Sequence, residues 1–393
     1  MDMPNYYQHF VPGRIVSGYG ALEKIPSLVE RLGCRTAMVV TDKGVVAAGL
    51  IKHIEEAFRG KASTIAHVFD EAPPDSSNLA ANKLAELFRQ YGCDIFLAVG
   101  GGSALDTAKG ANIVISQGTD DLLKMQGAEN LEADLLPTIA VPTTGGTGSE
   151  VTRAAVIYNE EKKVKMLFSA DKLYPTVAVL DPRMSATVPP KITAATGLDA
   201  LTHAMEAFIN LQKNPLEDAY ARAAIELIAK YLVRATKEGT VDREARFGMA
   251  NAALFAGIAF SNSMVGIVHA LAHACGAVCH VPHGVANGIL LPWGLEYNLP
   301  RVAPQIAELS QPLGVEMTCP DPLDQARVTI RLVRDLGSRL NEICGLPLRL
   351  RDAGVTEDKL AAIVSVAVND GCLMYNPLDV TRGDALKVLR KAF

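Results

Sequence analysis

The stretch Ile95-Phe96-Leu97-Ala98-Val99-Gly100-Gly101-Gly102-Ser103-Ala104-Leu105-Asp106-Thr107-Ala108-Lys109 decides the fold. A short apolar run stopped by glycines reads as a buried strand, and the segment after it reads as a helix. In such a strand, turn and helix N-terminus the glycines let the backbone approach a phosphate closely, and the first free amides of the helix point at it. A pyrophosphate would fit there. A ligand-free reading uses the same residues, as a tight turn with Ser103 as N-cap and Asp106 three residues on, close to a capping box. Neither the Gly-x-Gly-x-x-Gly spacing nor a Walker lysine after the last glycine is present, so the motif alone leaves both readings open.

Working outward, similar runs occur at Ala37 to Thr41, Thr64 to Val68, Thr138 to Val141 and Val177 to Leu180, with amphipathic helices such as Asn78 to Tyr91 between them. Strands that alternate with helices predict an open parallel sheet flanked by helices. A second polar turn, Pro142-Thr143-Thr144-Gly145-Gly146-Thr147-Gly148-Ser149-Glu150, follows its strand. Neighbouring parallel strands that end in Gly/Thr loops define a crevice at their carboxyl ends, where ligands bind in such sheets. The hydroxyls there can reach ribose, amide or phosphate oxygens, or serve the turn alone. Asp42, after the strand at 37–41, can accept hydrogen bonds from an adenosine ribose and would repel a 2′-phosphate, which favours NAD over NADP.

From about Pro189 the character changes to long Ala/Leu/Ile/Glu-rich segments with a period near 3.6, and strand signals vanish. The prolines between Asp181 and Pro190 mark the change. The expected organisation is an α/β domain over 1–183 and an all-helical domain over 184–393.

The helical half holds a cluster of histidines. The chain has 8 His, and His203, His269, His273, His280 and His283 fall within it. Asp199 and His203 are four apart and share a helical face, as do His269 and His273; His283 follows at a Pro-His-Gly turn. One such pair is commonly a packed core feature. Two such helices and the histidine turn point to a divalent metal held by Asp199, His203, His269 and His283. Nitrogen and oxygen ligands without thiolate suit Fe2+, Zn2+ or Mn2+ and do not choose among them. Cys275 and Cys279 would offer a thiolate-containing zinc site instead, but Cys-rich structural sites draw on more than one such pair.

Composition narrows the partners. At 393 residues, 49% hydrophobic and 21% charged, the chain can build two full cores. A formal charge of -5 with dispersed basic residues gives no electrostatic footprint for nucleic acid or an anionic membrane. The 7 cysteines are scattered and odd in number, which suits reduced thiols. No leader-like start and no run of about 18 apolar residues is found. A cytoplasmic protein with a small-molecule partner is expected.

Taken together and in order, the loop at 100–109, the turn at 142–150, the segments 197–208 and 269–284 and the late Tyr375-Asn376-Pro377 resemble the iron-containing (group III) alcohol dehydrogenases over nearly the whole chain. The resemblance implies a dehydroquinate synthase-like architecture, with an α/β dinucleotide-binding domain and an all-α metal and substrate domain, and a homodimer or larger ring. It implies that Asp199, His203, His269 and His283 ligate the metal. It further implies that Asp42, Gly101, Gly102, Ser103, Asp106, Thr143, Thr144, Thr147, Ser149 and Lys165 bind NAD, and that His273 faces nicotinamide and substrate. Lys165, within Lys162-Lys163-Val164-Lys165, is otherwise an ordinary solvated charge. The segment Arg153-Ala154-Ala155 departs from relatives that carry bulkier or polar residues there, which leaves substrate size open.

The implied reaction passes hydride between a small primary alcohol or diol and nicotinamide beside a divalent ion. His273 would pass a proton or orient substrate, or merely fix a ligand. Phe260, Val265 and Cys372 are candidate pocket walls. Rival readings are a glycerol-dehydrogenase-like zinc enzyme, a maleylacetate reductase, a dehydroquinate-synthase-like lyase and a non-catalytic binding protein. The lyase would need a basic cluster for a polyanionic substrate, and the histidine region supplies few Lys or Arg.

Overall fold

The computed structural model describes residues 4–393. They divide into two compact units, Phe10–Thr187 on one side and Val188–Phe393 with the described residues up to His9 on the other. The division falls between Thr187 and Val188, and the described residues up to His9 go with the helical unit. Both features have local causes. Asp181 accepts from the Gly20 amide and from the Arg183 amide and guanidinium, which holds 182–185 to the α/β unit. At the other end, His9 Nδ1 lies 2.7 Å from the buried Glu217 carboxylate, and its ring stacks on Tyr220.

The strands of the α/β unit are β1 (Arg14–Ser17), β2 (Thr36–Val40), β3 (Thr64–Phe69), β4 (Ile95–Gly100), β5 (Gly127–Ala128), β6 (Thr138–Pro142), β7 (Ala154–Asn159), β8 (Val164–Ser169) and β9 (Val177–Leu180). Its helices are α1 (Ile25–Arg31), α2 (Lys43–Ala47), α3 (Ile51–Phe58), α4 (Asn78–Gln90) and α5 (Gly102–Ser116). The main sheet is wholly parallel in the order β1-β9-β6-β4-β2-β3. Alternate side chains serve two cores. Ala37, Val39, Ile95, Leu97 and Val99 join α1 and α3 on one face, while Met38, Val40, Phe96 and Ala98 join α4 and α5 on the other. With both faces covered, β4 is buried along its whole length, and this is why it reads as an unbroken apolar run. Each fully buried Leu, Ile or Phe in it contributes roughly 1.5–3 kcal/mol.

A second sheet, β5-β8-β7, contains an antiparallel hairpin pairing Ala154 with Ser169 through Asn159 with Val164. The expected strand-helix alternation did not include it. Positions 155, 157 and 159 of β7 are buried in strict alternation, but the intervening residues are Ala154, Val156 and Tyr158, so composition carries no period of two. An Asx turn reverses the chain, with Asn159 Oδ1 accepting from the Glu161 and Lys162 amides.

The helical unit comprises α6 (Pro190–Ile209), α7 (Pro215–Glu238), α8 (Arg243–Ser263), α9 (Ile267–Cys279), α10 (His283–Glu308), α11 (Pro322–Cys344), α12 (Leu360–Ala367) and α13 (Arg382–Ala392). Pro190 occupies the first helical position of α6, where its missing N–H costs nothing. From Ala194 to Ile209 almost every residue of α6 is buried, so the helix is apolar all round and its few polar side chains need internal partners. Pro300 and Pro304 flank a kink at Val302 in α10. Among the described residues no single helix is long and apolar enough to cross a membrane; α8 and α9 pass only as a pair bent by 103°.

Candidate metal centre and dinucleotide loops

Three helices deliver the donor groups of the helical unit. Asp199 and His203 stand one turn apart on α6, His269 lies in the first turn of α9, and His283 is the first residue of α10. His283 thus opens a long helix capped by Pro282, rather than sitting in an isolated turn. One ligand atom from each of the four lies within 4.8 Å of the others. Asp199 Oδ1 is 3.4 Å from His283 Nε2 and 3.9 Å from His269 Nε2, and the rings of His203 and His269 stack at 4.5 Å. Burial opposes the charge on Asp199, but the surrounding imidazoles prevail and hold its carboxyl below the ordinary value. Burial and the neighbouring imidazoles push His269 well below its ordinary value, so it is neutral.

His269 is oriented from behind. Its Nδ1 lies 2.6 Å from Glu206 Oε2, and Glu206 also accepts from the Val268 amide at 2.8 Å and the His269 amide at 3.3 Å. A carboxylate that accepts a hydrogen bond from Nδ1–H leaves the Nε2 lone pair facing Asp199, as a metal ligand requires. His269 Nε2 is buried and has no hydrogen-bond partner. An orphaned acceptor of this kind is costly unless something binds it. A divalent ion fits this donor set. Gly266 makes the approach of Glu206 possible, since a Cβ there would meet Asn376 Oδ1 at 2.7 Å and Glu206 Oε1 at 3.1 Å. Asn287, one turn into α10, donates to Asp199 Oδ1 at 2.6 Å.

Sequence reasoning missed Glu206 and Asn287, although both carry a spacing signal: Glu206 is three residues past His203, and Asn287 four past His283. It also missed Asp370, whose Oδ2 lies 2.8 Å from His273 Nδ1. His273 stacks on His283 at 5.2 Å, and with Asp370 and Cys372 it forms a second, smaller group of donors. Phe260 stacks on His203 at 4.1 Å, whereas Val265 is buried in the corner between α8 and α9. His280, the remaining histidine of the run, ends α9 in a left-handed conformation, and Cys275 and Cys279 belong to neither donor group.

Most of the dinucleotide candidates lie at or just beyond the carboxyl ends of the adjacent strands β2, β4 and β6, while Asp106 is on α5 and Lys165 is on β8 of the second sheet. Gly101, not Ser103, caps α5: its extended backbone starts the helix two residues earlier than expected, and Ser103 Oγ donates to the Pro74 carbonyl instead. Asp106 closes no capping box, because its oxygens accept from Ser149 Oγ and the Val156 amide, both at 3.0 Å. Asp42 caps α2 through the Gly44 and Val45 amides, with its other oxygen toward Gly100. The Thr143 amide donates to the Gly100 carbonyl at 3.0 Å, and Thr144 and Thr147 pack on Gly101 and Gly102. Gly100 itself admits no side chain, as a Cβ would meet that of Ala104 at 2.6 Å. Lys165, on β8, pairs with Asp75 at 2.8 Å.

A parallel α/β unit with a glycine turn, joined to a helical unit with an Asp/His donor set, is the build of a metal-containing dehydrogenase. Comparison with known proteins makes the class definite. Residues 12–182 match the family model for iron-containing alcohol dehydrogenase, and residues 193–393 match that for the C-terminal part of the Fe-containing alcohol dehydrogenase family. The chain is 37% identical to 1,3-propanediol dehydrogenase of Klebsiella pneumoniae, over 98% of this chain and 99% of that protein. It is 34% identical to NAD-dependent methanol dehydrogenase of Bacillus methanolicus, over 98% and 99%. The solved structure of a 1,3-propanediol oxidoreductase superposes with a TM-score of 0.94 at 37% identity, covering 99% of this chain and 100% of that one. The chain belongs to the iron-containing alcohol dehydrogenase family. It is an oxidoreductase acting on alcohols.

Proposed function

We propose that this enzyme is an NAD(H)-linked dehydrogenase of small primary alcohols or diols, running also as an aldehyde reductase, with Fe2+ held by Asp199, His203, His269 and His283. The observation that carries the metal is the buried, partnerless Nε2 of His269 beside Asp199. When bound, the divalent ion supplies Lewis acidity toward the alcohol or aldehyde oxygen, and the nicotinamide accepts or gives hydride.

The chain's own residues do the rest. Asp199 contributes the only anionic donor of the four, and Asn287 fixes one of its oxygens. Glu206 holds the His269 ring in its ligating tautomer. Asp370 holds His273 through Nδ1, which suits that imidazole to orient substrate or carry a proton at its other nitrogen. Asp42, the Gly100–Gly102 turn and the threonines at 143, 144 and 147 line the candidate dinucleotide site, and the carboxylate of Asp42 favours NAD over NADP. The name of the Bacillus methanolicus relative agrees with that preference.

A homodimer or larger ring is consistent with the edge strand β1, where Ile15 is exposed, as is Tyr19 just beyond it. The seven cysteines are all free, which fits a reducing compartment such as the cytoplasm. Anaerobic calorimetry tests the metal reading. One Fe2+ per chain should bind the wild type, and the affinity should collapse in His269→Ala; equal binding by both proteins would refute the assignment.

A further inference from the structure

Asp106 and Lys109 lie one turn apart on α5, the helix that the glycine turn opens. Both reach the same neighbouring segment. Lys109 Nζ is buried and lies 2.9 Å from the Ser149 carbonyl, 3.1 Å from Ser149 Oγ, 3.1 Å from both the carbonyl and Oγ1 of Thr152, and 2.8 Å from the Ala154 carbonyl. An ammonium has three N–H donors. Five oxygens at this range therefore form a cage around a cation, not a set of three directed bonds. Asp106 clamps both ends of the segment, accepting from Ser149 Oγ and the Val156 amide.

The charges are consistent with a cation that belongs there. Glu150 is buried and Asp106 half-buried beside Lys109, and removing the ammonium would leave these carboxylates without their neutralising charge. Burial pushes Lys109 down to about 8 while Asp106 and Glu150 oppose it, so the group is still mostly charged at neutral pH.

The caged segment continues the threonine loop. Gly148, with φ of 62°, joins Ser149 to Thr147, whose Cγ2 is 3.0 Å from where a Gly102 Cβ would stand, and the Ser149 amide donates to Thr147 Oγ1. A shift of the cage moves the wall that rests on the glycine turn.

We propose that Lys109 is a positioning residue: a tethered cation around which residues 149–154 fold, fixing the threonine loop against the glycine turn in the shape that takes the dinucleotide. This rests on the dinucleotide reading above. The test is NADH fluorescence titration of Lys109→Met and Lys109→Ala, with thermal unfolding of the same samples. Folded Lys109→Met should bind NADH about ten-fold or more weakly, the size of one lost buried polar complement. Lys109→Ala should be equally weak in choline chloride and recover most of its affinity in potassium or ammonium chloride, whose cations can enter the vacated cage.

Wild-type affinity in folded Lys109→Met overturns the proposal, as does indifference of folded Lys109→Ala to the choice of cation. If neither variant folds, Thr152→Val decides, since it removes one cage oxygen and keeps the ammonium. A several-fold loss of NADH affinity then supports the proposal, and no loss overturns it. Wild-type protein that binds no NADH would remove the dinucleotide reading, and this inference with it.

Discussion

Glu206 Oε2 lies 2.6 Å from His269 Nδ1, and the same carboxylate accepts the amides that begin α9. One side chain on α6 therefore sets both the ring orientation of a donor and the start of the helix that carries it. Glu206→Gln keeps the shape and removes the charge. It should weaken metal binding by roughly 10–100-fold, the usual cost of losing a partner behind a ligating histidine. Chelator competition on the folded variant measures this; unaltered affinity would mean that packing alone holds the ring.

Stability should fall with pH through Glu150. Burial pushes its carboxyl up to about 7 against the opposing charge of Lys109, from an ordinary value of 4.5. The folded state therefore binds the proton more tightly than the unfolded chain does. The stability this group contributes is fully present below about 4.5 and is lost as pH rises through about 7. Urea unfolding of Glu150→Gln against wild type should show the variant gaining relative stability across that window. A difference independent of pH would contradict it.

Arg246 is buried, and no carboxylate among the described residues pairs with it. Its guanidinium donates to the Gly239 and Val188 carbonyls and to Thr193 Oγ1, and burial pushes it down to about 10. These bonds tie the start of α6, and hence Asp199 and His203, to α8. Arg246→Met leaves buried acceptors unsatisfied, at about 1–3 kcal/mol each. Chemical denaturation should register a loss of at least that size, and a loss well below it would show that water or rearrangement replaces the bonds.

His280 ends α9 at φ of 56°. Left-handed backbone is unfavourable for residues with a Cβ and free for glycine. His280→Gly should raise stability by up to about 1 kcal/mol, as the strain removed outweighs the entropy glycine adds to the unfolded chain. Metal stoichiometry should not change, since His280 lies outside the donor group. A lowered unfolding midpoint, or lost metal, would argue otherwise.

What could be read from the chain follows from how local each signal is. Strands β2, β4, β6 and β9 announce themselves because a parallel strand covered on both faces is apolar throughout, whereas the half-buried edge strand β3 shows through its β-branched Thr64, Ile65 and Val68. Hairpin β7–β8 does not, because Val156 and Tyr158 fill the less buried side of a half-covered strand with apolar residues. Asp199, His203, His269 and His283 stand out by helical spacing and by the rarity of histidine. Glu206 carries the same spacing but reads as an ordinary helix-surface carboxylate until α6 is seen to be buried all round. Asp370 is 97 residues from His273, and no local pattern joins them. Lys109 followed the glycine motif in plain view, yet its cage is built from a segment 40 residues away.

The most direct measurement of the central claim is NADH-linked reduction of short aldehydes by protein stripped of metal and reloaded anaerobically with Fe2+, Zn2+ or Mn2+, beside His269→Ala. Activity that returns with Fe2+ and stays absent in the variant is the predicted result. No activity with any ion, in protein that still binds NADH, would contradict the assignment of a metal-dependent NAD-linked alcohol dehydrogenase.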